Sequence, residues 1–330
     1  MKPELTAVNS PPYRPATGLG RTELAFVFNA GGIGDYINWV PAVRYAIDKN
    51  PHIFGYVLTP KYFEDLAHLW FDNYDKRFVV QTYDKLDEDP LLERIPFVAP
   101  DRKQFANANG FHLMHLGFVY YNQISKVPKN AGVLPVINGS EADVTKFNLP
   151  EKYAVVTVMA TAENRKLPAE AINSVTRYLI TKGITTVFLG KREILADRKS
   201  SNADGITLDG VLDLRDKTTL PEAACIMARA KCVVGLDNGL LHLACCTSVP
   251  VVFIFTSVDP ALRVPPRHGD AKTVTVVPDE SLKCRFCNSR MQYIMGHDFK
   301  NCLYGDNLCA TSIKGESLIP VVEGLLEDTV

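Results

Sequence analysis

Residues 24–47 read LAFVFNAGGIGDYINWVPAVRYAI. A short continuous apolar run, Leu24–Asn29, stops at Gly31-Gly32-Ile33-Gly34-Asp35, and Ile37, Val40, Val43, Ala46 and Ile47 then recur at helical spacing. Strand, glycine turn, helix is the opening of a βαβ unit. Further short strands are expected at 53–58, 78–81, 97–99 and 112–116, so the first half reads as an open, mostly parallel sheet. Upstream, residues 1–22 are rich in Pro, Ser and Gly and are expected to form an extended arm.

A polar stretch from Lys126 to Lys152, broken by Pro128, Gly132, Pro135, Gly139 and Pro150, reads as a connection between domains. The rhythm then restarts. Strands are expected at 153–159, 185–189, 206–208 (short and edge-like), 232–235, 249–255 and 274–277, with helices at 168–181, 220–230 and 238–247. Continuous apolar strands alternating with amphipathic helices imply an α/β chain whose parallel sheets are covered on both faces. The expected division is an arm at 1–22, an acceptor-side Rossmann-like domain at 23–140, a nucleotide-sugar-binding Rossmann-like domain at 141–312 and a C-terminal helix at 313–330. Two such domains form a cleft between strand C-termini, where ligands bind in this architecture.

The 330 residues are 46% hydrophobic and 22% charged, an ordinary globular profile with more chain than one core usually supports. No apolar run reaches the roughly 18–20 residues that span a bilayer, and the N-terminus lacks a signal-peptide pattern, so a cytoplasmic location is expected. Lys and Arg number 36 against 37 Asp and Glu, and residues 1–140 hold 14 of each sign. That balance disfavours nucleic acid as a partner, because phosphate neutralisation drives such binding. It suits poorly an acceptor bearing many phosphates.

Three motifs carry chemistry. The glycines at 31–34 let a backbone approach a ligand, but Asp35 follows at once and would repel a pyrophosphate; it can accept a proton from a hydroxyl, or simply cap the helix. At Val233-Val234-Gly235-Leu236-Asp237-Asn238-Gly239-Leu240-Leu241-His242 a buried strand ends on an acid, and a glycine turn starts a helix. The N–H groups of Asn238, Gly239 and Leu240 there offer an anion site. Asp237 has the alternative of a cap and His242 that of a helix histidine. In Thr161–Pro168, Arg165 and Lys166 fall at the same sheet edge and could neutralise a leaving diphosphate; solvated loop charges are the plainer reading.

These residues resemble glycosyltransferase family 9, the ADP-heptose:lipopolysaccharide heptosyltransferase family. The stretches 213–224, 228–230, 233–239, 242–244 and 249–255 follow its C-terminal pattern, and Gly32, Gly34, Asp35, Ile37, Pro41, Ala42, Val43 and Arg44 its N-terminal one. Asn238 stands where the family has Ser or Thr, and Asp213–Lys217 (DLRDK) lacks the common Gly before the Lys. The resemblance implies a GT-B fold: two Rossmann-like domains with mostly parallel sheets facing across a cleft. It implies an inverting, metal-independent transferase moving a sugar from a nucleoside-diphosphate sugar, an ADP-sugar favoured, to a hydroxyl acceptor. By position Asp35 is the general base, with Gly32 and Gly34 beside it on the acceptor side. Arg165, Lys166, Asp237, Asn238, Gly239, Leu240 and His242 hold the donor sugar and phosphates, and Gly190, Glu193, Thr218 and Thr219 the nucleotide. A GT-B-type epimerase or hydrolase and a non-catalytic nucleotide-sugar-binding protein are the alternatives. His112 and His115 are candidate acceptor contacts or core histidines.

Eight cysteines without an export signal do not suggest a disulfide framework. Cys225, Cys232, Cys245 and Cys246 read as core. Cys284, Cys287, Cys302 and Cys309 are spaced so that four thiolates could hold a structural zinc; the alternative is free or redox-paired thiols. No catalytic cofactor is expected.

Overall fold

A computed structural model describes residues 21–28, 32–85, 89, 91, 95, 97–98, 134–157, 160, 163–192, 206, 209–291, 302 and 304–327. The chain divides into two compact units between Pro135 and Val136, ahead of the boundary expected at 140/141. The expected strand at 112–116 and most of the N-terminal arm lie outside the described residues; Thr22, at the arm's end, already opens the first strand.

The first unit carries a wholly parallel four-stranded sheet in the order β3-β2-β1-β4, with β1 at Thr22–Val27, β2 at Ile53–Pro60, β3 at Phe78–Tyr83 and β4 at Phe97–Val98. Helix α1, Ile33–Lys49, follows β1 through the glycine turn. Gly32 caps it, and Ile37, Val40, Val43, Ala46 and Ile47 are all fully buried. The apolar spacing thus marks the face that packs on the sheet. A short helix not read from the pattern, α2 at Glu64–Phe71, supplies Trp70 and Phe71 to an aromatic cluster. There Tyr36 stacks on Phe63 with centroids 4.5 Å apart, and Phe28 meets Tyr36 edge-on at 5.1 Å. Such rings bury large apolar area in preferred geometries.

The second unit holds a six-stranded parallel sheet, β10-β9-β8-β5-β6-β7. Its strands are β5 Tyr153–Thr157, β6 Thr185–Leu189, β7 Val211–Asp213, β8 Val233–Leu236, β9 Val251–Ile254 and β10 Thr273–Val276. Val211–Asp213 pairs with β6 at the edge of this sheet; of the strand expected at 206–208 only Ile206 is described, and it is not in a strand, while 207–208 lie outside the described residues. Gly210, at φ +70°, turns the chain into β7 at the point where Val211 and Leu212 can pair with β6.

Helices α3 (Ala169–Thr181), α4 (Leu220–Ala228) and α5 (Gly239–Ala244) connect these strands; α6 (Cys287–Met291), α7 (Leu308–Thr311) and α8 (Gly315–Glu327) follow β10. Helix α8 packs on α3. Leu318, Val322 and Leu325 join Ile172, Val175 and Leu179 in one core cluster, and Lys182 pairs with Glu323 at 3.0 Å. At the crossing only glycine fits: a Cβ on Gly315 would lie 2.3 Å from the Ser174 Cβ. Among the described residues no helix is long and apolar enough to cross a membrane.

Candidate functional site

β8 is buried along its length and delivers Asp237 to the C-terminal edge of the sheet. Asp237 is only 5% exposed. Its Oδ2 lies 3.4 Å from Arg165 Nη1, which also donates to the Asp237 carbonyl at 3.0 Å, and its Oδ1 lies 3.5 Å from His242 Nε2. Burial alone would raise the carboxyl's pKa. The His242 hydrogen bond and the charges of Arg165 and Arg263 more than offset that, and hold it well below the ordinary carboxylate range. The sheet edge therefore presents a buried, ionised acid ringed by cations.

Asn238 follows in extended conformation and caps α5: its Oδ1 accepts from the Leu241 N–H at 3.1 Å, and its Nδ2 donates to Thr157 Oγ1 at 3.2 Å. The residue that departs from the family's Ser or Thr keeps the capping oxygen and adds a tether to β5. The N–H groups of Gly239 and Leu240 make no hydrogen bond among the described residues. At six residues α5 carries only a small dipole, so the side-chain cations are the main source of positive potential.

Arg165 closes a short 3-10 turn, Glu163–Arg165, after β5. That turn is held from below, where the Asn164 carbonyl accepts from Thr256 Oγ1 at 2.8 Å and from the Cys309 thiol at 3.8 Å. Lys166 follows, half-buried.

Gly190, at φ +120°, ends β6; a Cβ there would sit 3.5 Å from Leu240 Cδ1, so the β6 turn lies directly against the start of α5. The Gly190 carbonyl accepts from the Asp216 N–H at 2.8 Å. Asp216 adopts φ +63°, in the left-handed region, and its carboxylate accepts from the Arg192 N–H at 3.1 Å. Beside it Asp213 bonds both Arg215 and Arg192, at 2.9 and 2.8 Å, and the Arg215 hydrogen bond brings its pKa down to about 2. Thr218 leads into Thr219, the N-cap of α4. Thr219 Oγ1 accepts from the Glu222 N–H, and the Glu222 carboxylate accepts from the Thr219 N–H at 2.8 Å.

In the first unit, Asp35 Oδ2 accepts from the Gly32 N–H at 2.7 Å. Gly32 and not Asp35 is the N-cap; Asp35 stands at the third helical position and its carboxylate reaches back to the cap, with Oδ1 making no hydrogen bond among the described residues. Glu193, His112 and His115 lie outside the described residues.

The cysteine segment is less ordered around a centre than its spacing suggested. Among the described residues no three His, Cys, Asp or Glu side chains are grouped as a metal would need. Burial pushes the Cys309 thiol up to about 12, and neighbouring Cys287, Cys302 and Cys284 push the same way. Cys309 is turned to the Asn164 carbonyl, Cys302 to Asp306 and Cys287 to Asn288. As arranged, the four thiols do not fit a tetrahedral ion.

The family model for glycosyltransferase family 9 (heptosyltransferase) matches residues 127–294, just over half of the chain. The chain belongs to glycosyltransferase family 9. It is a glycosyltransferase, and its fold is GT-B, as the resemblance implied. Among solved structures it is similar to a family 9 glycosyl transferase from Veillonella parvula, at 13% identity and a TM-score of 0.66, covering 95% of this chain and 99% of that one. The iron-containing dodecameric glycosyltransferase TibC from enterotoxigenic E. coli is similar at 16% identity and a TM-score of 0.72, covering 94% and 78%. The E. coli ADP-heptose lps heptosyltransferase II follows at 14% and 0.66, covering 92% and 98%. No curated protein sequence matches the chain.

Three features of the second-unit site escaped sequence reasoning. Arg263 is far from Asp237 in the chain, and only the neighbouring of β8 and β9 brings it close. The Asp213 network depends on β7 lying beside β6, and the support of the Arg165 turn by Cys309 spans the whole second unit.

Proposed function

We propose that this family 9 enzyme transfers a sugar from a nucleoside-diphosphate sugar, with an ADP-sugar favoured, to a hydroxyl-bearing acceptor with inversion at the anomeric carbon. The observation that carries the donor assignment is the ionised Asp237 held between Arg165 and His242 at the strand edge. TibC has been crystallised with ADP-D-beta-D-heptose, and its likeness to this chain supports an ADP-linked donor.

Asp35 serves as general base. Its carboxylate takes the acceptor's hydroxyl proton as that oxygen attacks the anomeric carbon from the face away from the diphosphate. The bond from the anomeric carbon to the phosphate oxygen breaks with its electron pair, and the departing nucleoside diphosphate carries the charge. Arg165 and Lys166 stabilise that charge, and the N–H groups of Gly239 and Leu240 add donors. Asp237 contacts the sugar, and Gly190, Glu193, Thr218 and Thr219 hold the nucleotide. A single displacement inverts the centre. The bond from Gly32 to Asp35 fixes one carboxylate oxygen and leaves the other to take the proton.

The test pairs binding with turnover. ADP-, UDP-, GDP- and CMP-sugars are screened by thermal shift, and release of nucleoside diphosphate is then measured. Stabilisation by an ADP-sugar is expected, with Asp35→Ala losing at least about 100-fold in turnover while donor binding survives. If no nucleotide sugar raises the melting temperature the reading is wrong; if Asp35→Ala turns over normally the base lies elsewhere.

The cysteine segment has a structural part in this reading, because Cys309 props the turn that carries Arg165. A zinc on Cys284, Cys287, Cys302 and Cys309 would require the thiols to leave their present acceptors. TibC is iron-containing, so metal analysis of reduced protein should quantify iron as well as zinc. Less than a tenth of an equivalent of either removes the metal from the proposal.

A further inference from the structure

The cations around Asp237 leave one group unexplained. β8 and β9 run in parallel register from Val233 against Val251 to Leu236 against Ile254, and the Asp237 N–H donates to the Ile254 carbonyl at 3.0 Å. The chain leaving β9 therefore passes beside Asp237. It turns through the 3-10 segment Pro260–Leu262 under tight local control. Asp259 Oδ1 accepts from the Ala261 N–H at 2.9 Å, and the Arg263 N–H closes on the Pro260 carbonyl at 3.0 Å. The Asp259 N–H is anchored in turn to Ser289 Oγ at 2.8 Å, so α6 fixes the start of the turn.

This turn ends on Arg263. The side chain is half-buried, and its guanidinium makes no hydrogen bond or ion pair among the described residues. Its charge nevertheless reaches Asp237. Arg165 is already committed to that carboxylate and to its carbonyl. One carboxylate cannot neutralise two guanidiniums, and a partly desolvated cation without an anion is costly. A planar guanidinium with no protein partner among the described residues is the group best shaped to grip a phosphate through two parallel bonds.

We infer that Arg263 is a second guanidinium ligand of the donor's diphosphate, presented from the β9 side of Asp237 by the capped turn at 259–263. The inference rests on the proposed nucleotide-sugar site in this unit and adds a residue to it. In the reaction, Arg263 shares with Arg165 the charge that builds on the leaving diphosphate. Asp237 holds the two guanidiniums at a common edge before the donor arrives.

The experiment uses the full chain and isothermal titration with ADP, AMP and inorganic pyrophosphate. Removing charge-assisted hydrogen bonds predicts a loss of about 10- to 100-fold in affinity for ADP and pyrophosphate in Arg263→Ala, with a smaller loss for AMP. Arg263→Lys should recover part of it. Arg263→Gln, which keeps the stem without the charge, should behave like the alanine variant and serves in its place if alanine does not fold. Equal affinities in wild type and the alanine or glutamine variant overturn the inference and leave the donor site intact. A wild-type chain that binds neither ADP nor pyrophosphate overturns the site itself, and Arg263's role with it.

Discussion

Asp213 shows how a carboxylate can organise a strand end through the arginines beside it. It is 12% exposed at the side chain and accepts from Arg215 and from Arg192. Its pKa of about 2 lies below the unfolded value of 3.8, so the unfolded chain binds the proton more readily. The stability this contributes is complete above the unfolded value and is lost as pH falls through the folded one. The expected contribution is roughly 2 kcal/mol. Denaturant unfolding of wild type and Asp213→Asn should show wild type ahead by about that amount at pH 6, the gap closing between pH 4 and pH 2. A gap that stays constant across that range would mean Asp213 acts through shape and not charge. Asp216 works differently: its backbone takes the left-handed conformation that favours glycine, and its carboxylate holds the Arg192 N–H across the turn.

The passage from β8 to α5 depends on a missing side chain. Gly235 faces Thr157 across the sheet, and a Cβ there would lie 2.0 Å from Thr157 Oγ1, 2.5 Å from Leu241 Cδ2 and 2.8 Å from the Thr157 carbonyl. One of those neighbours is backbone, so the strand cannot simply repack. Gly235→Ala should cost about 3 kcal/mol or more, at the upper end of overpacking penalties, and thermal unfolding would register this as a drop of several degrees. An unchanged melting temperature would show that β5 and β8 can part without loss. The same passage shows what a sequence can convey. The apolar run, the acid and the glycine turn announced strand and helix, because each signal is local. β7 at Val211–Asp213 was not read from the sequence because a three-residue edge strand has little periodicity, and its start is set by the turn at Gly210. That Asp35 bonds back to the start of its helix was legible for the same local reason. Arg263 was not legible, because no local signal links a loop after β9 to an acid after β8.

At the scale of the whole molecule, the division between Pro135 and Val136 separates two sheets with separate cores. The groups proposed to hold the donor, Arg165, Asp237 and the N–H groups of Gly239 and Leu240, all belong to the second unit, and Arg263 joins them there. Nucleoside diphosphate should therefore stabilise that unit by mass action, by about 2.7 kcal/mol at a hundredfold excess over Kd. The gain should appear as slowed hydrogen exchange where local opening exposes the ligand's contacts. With ADP bound, peptides covering 163–166, 236–244 and 259–264 should be protected, while α1 and the β1–β2 pair exchange as in the free chain. Protection concentrated at 32–49 would place the nucleotide on the first unit. It would leave the cations around Asp237 without their anion and take the donor assignment down with them.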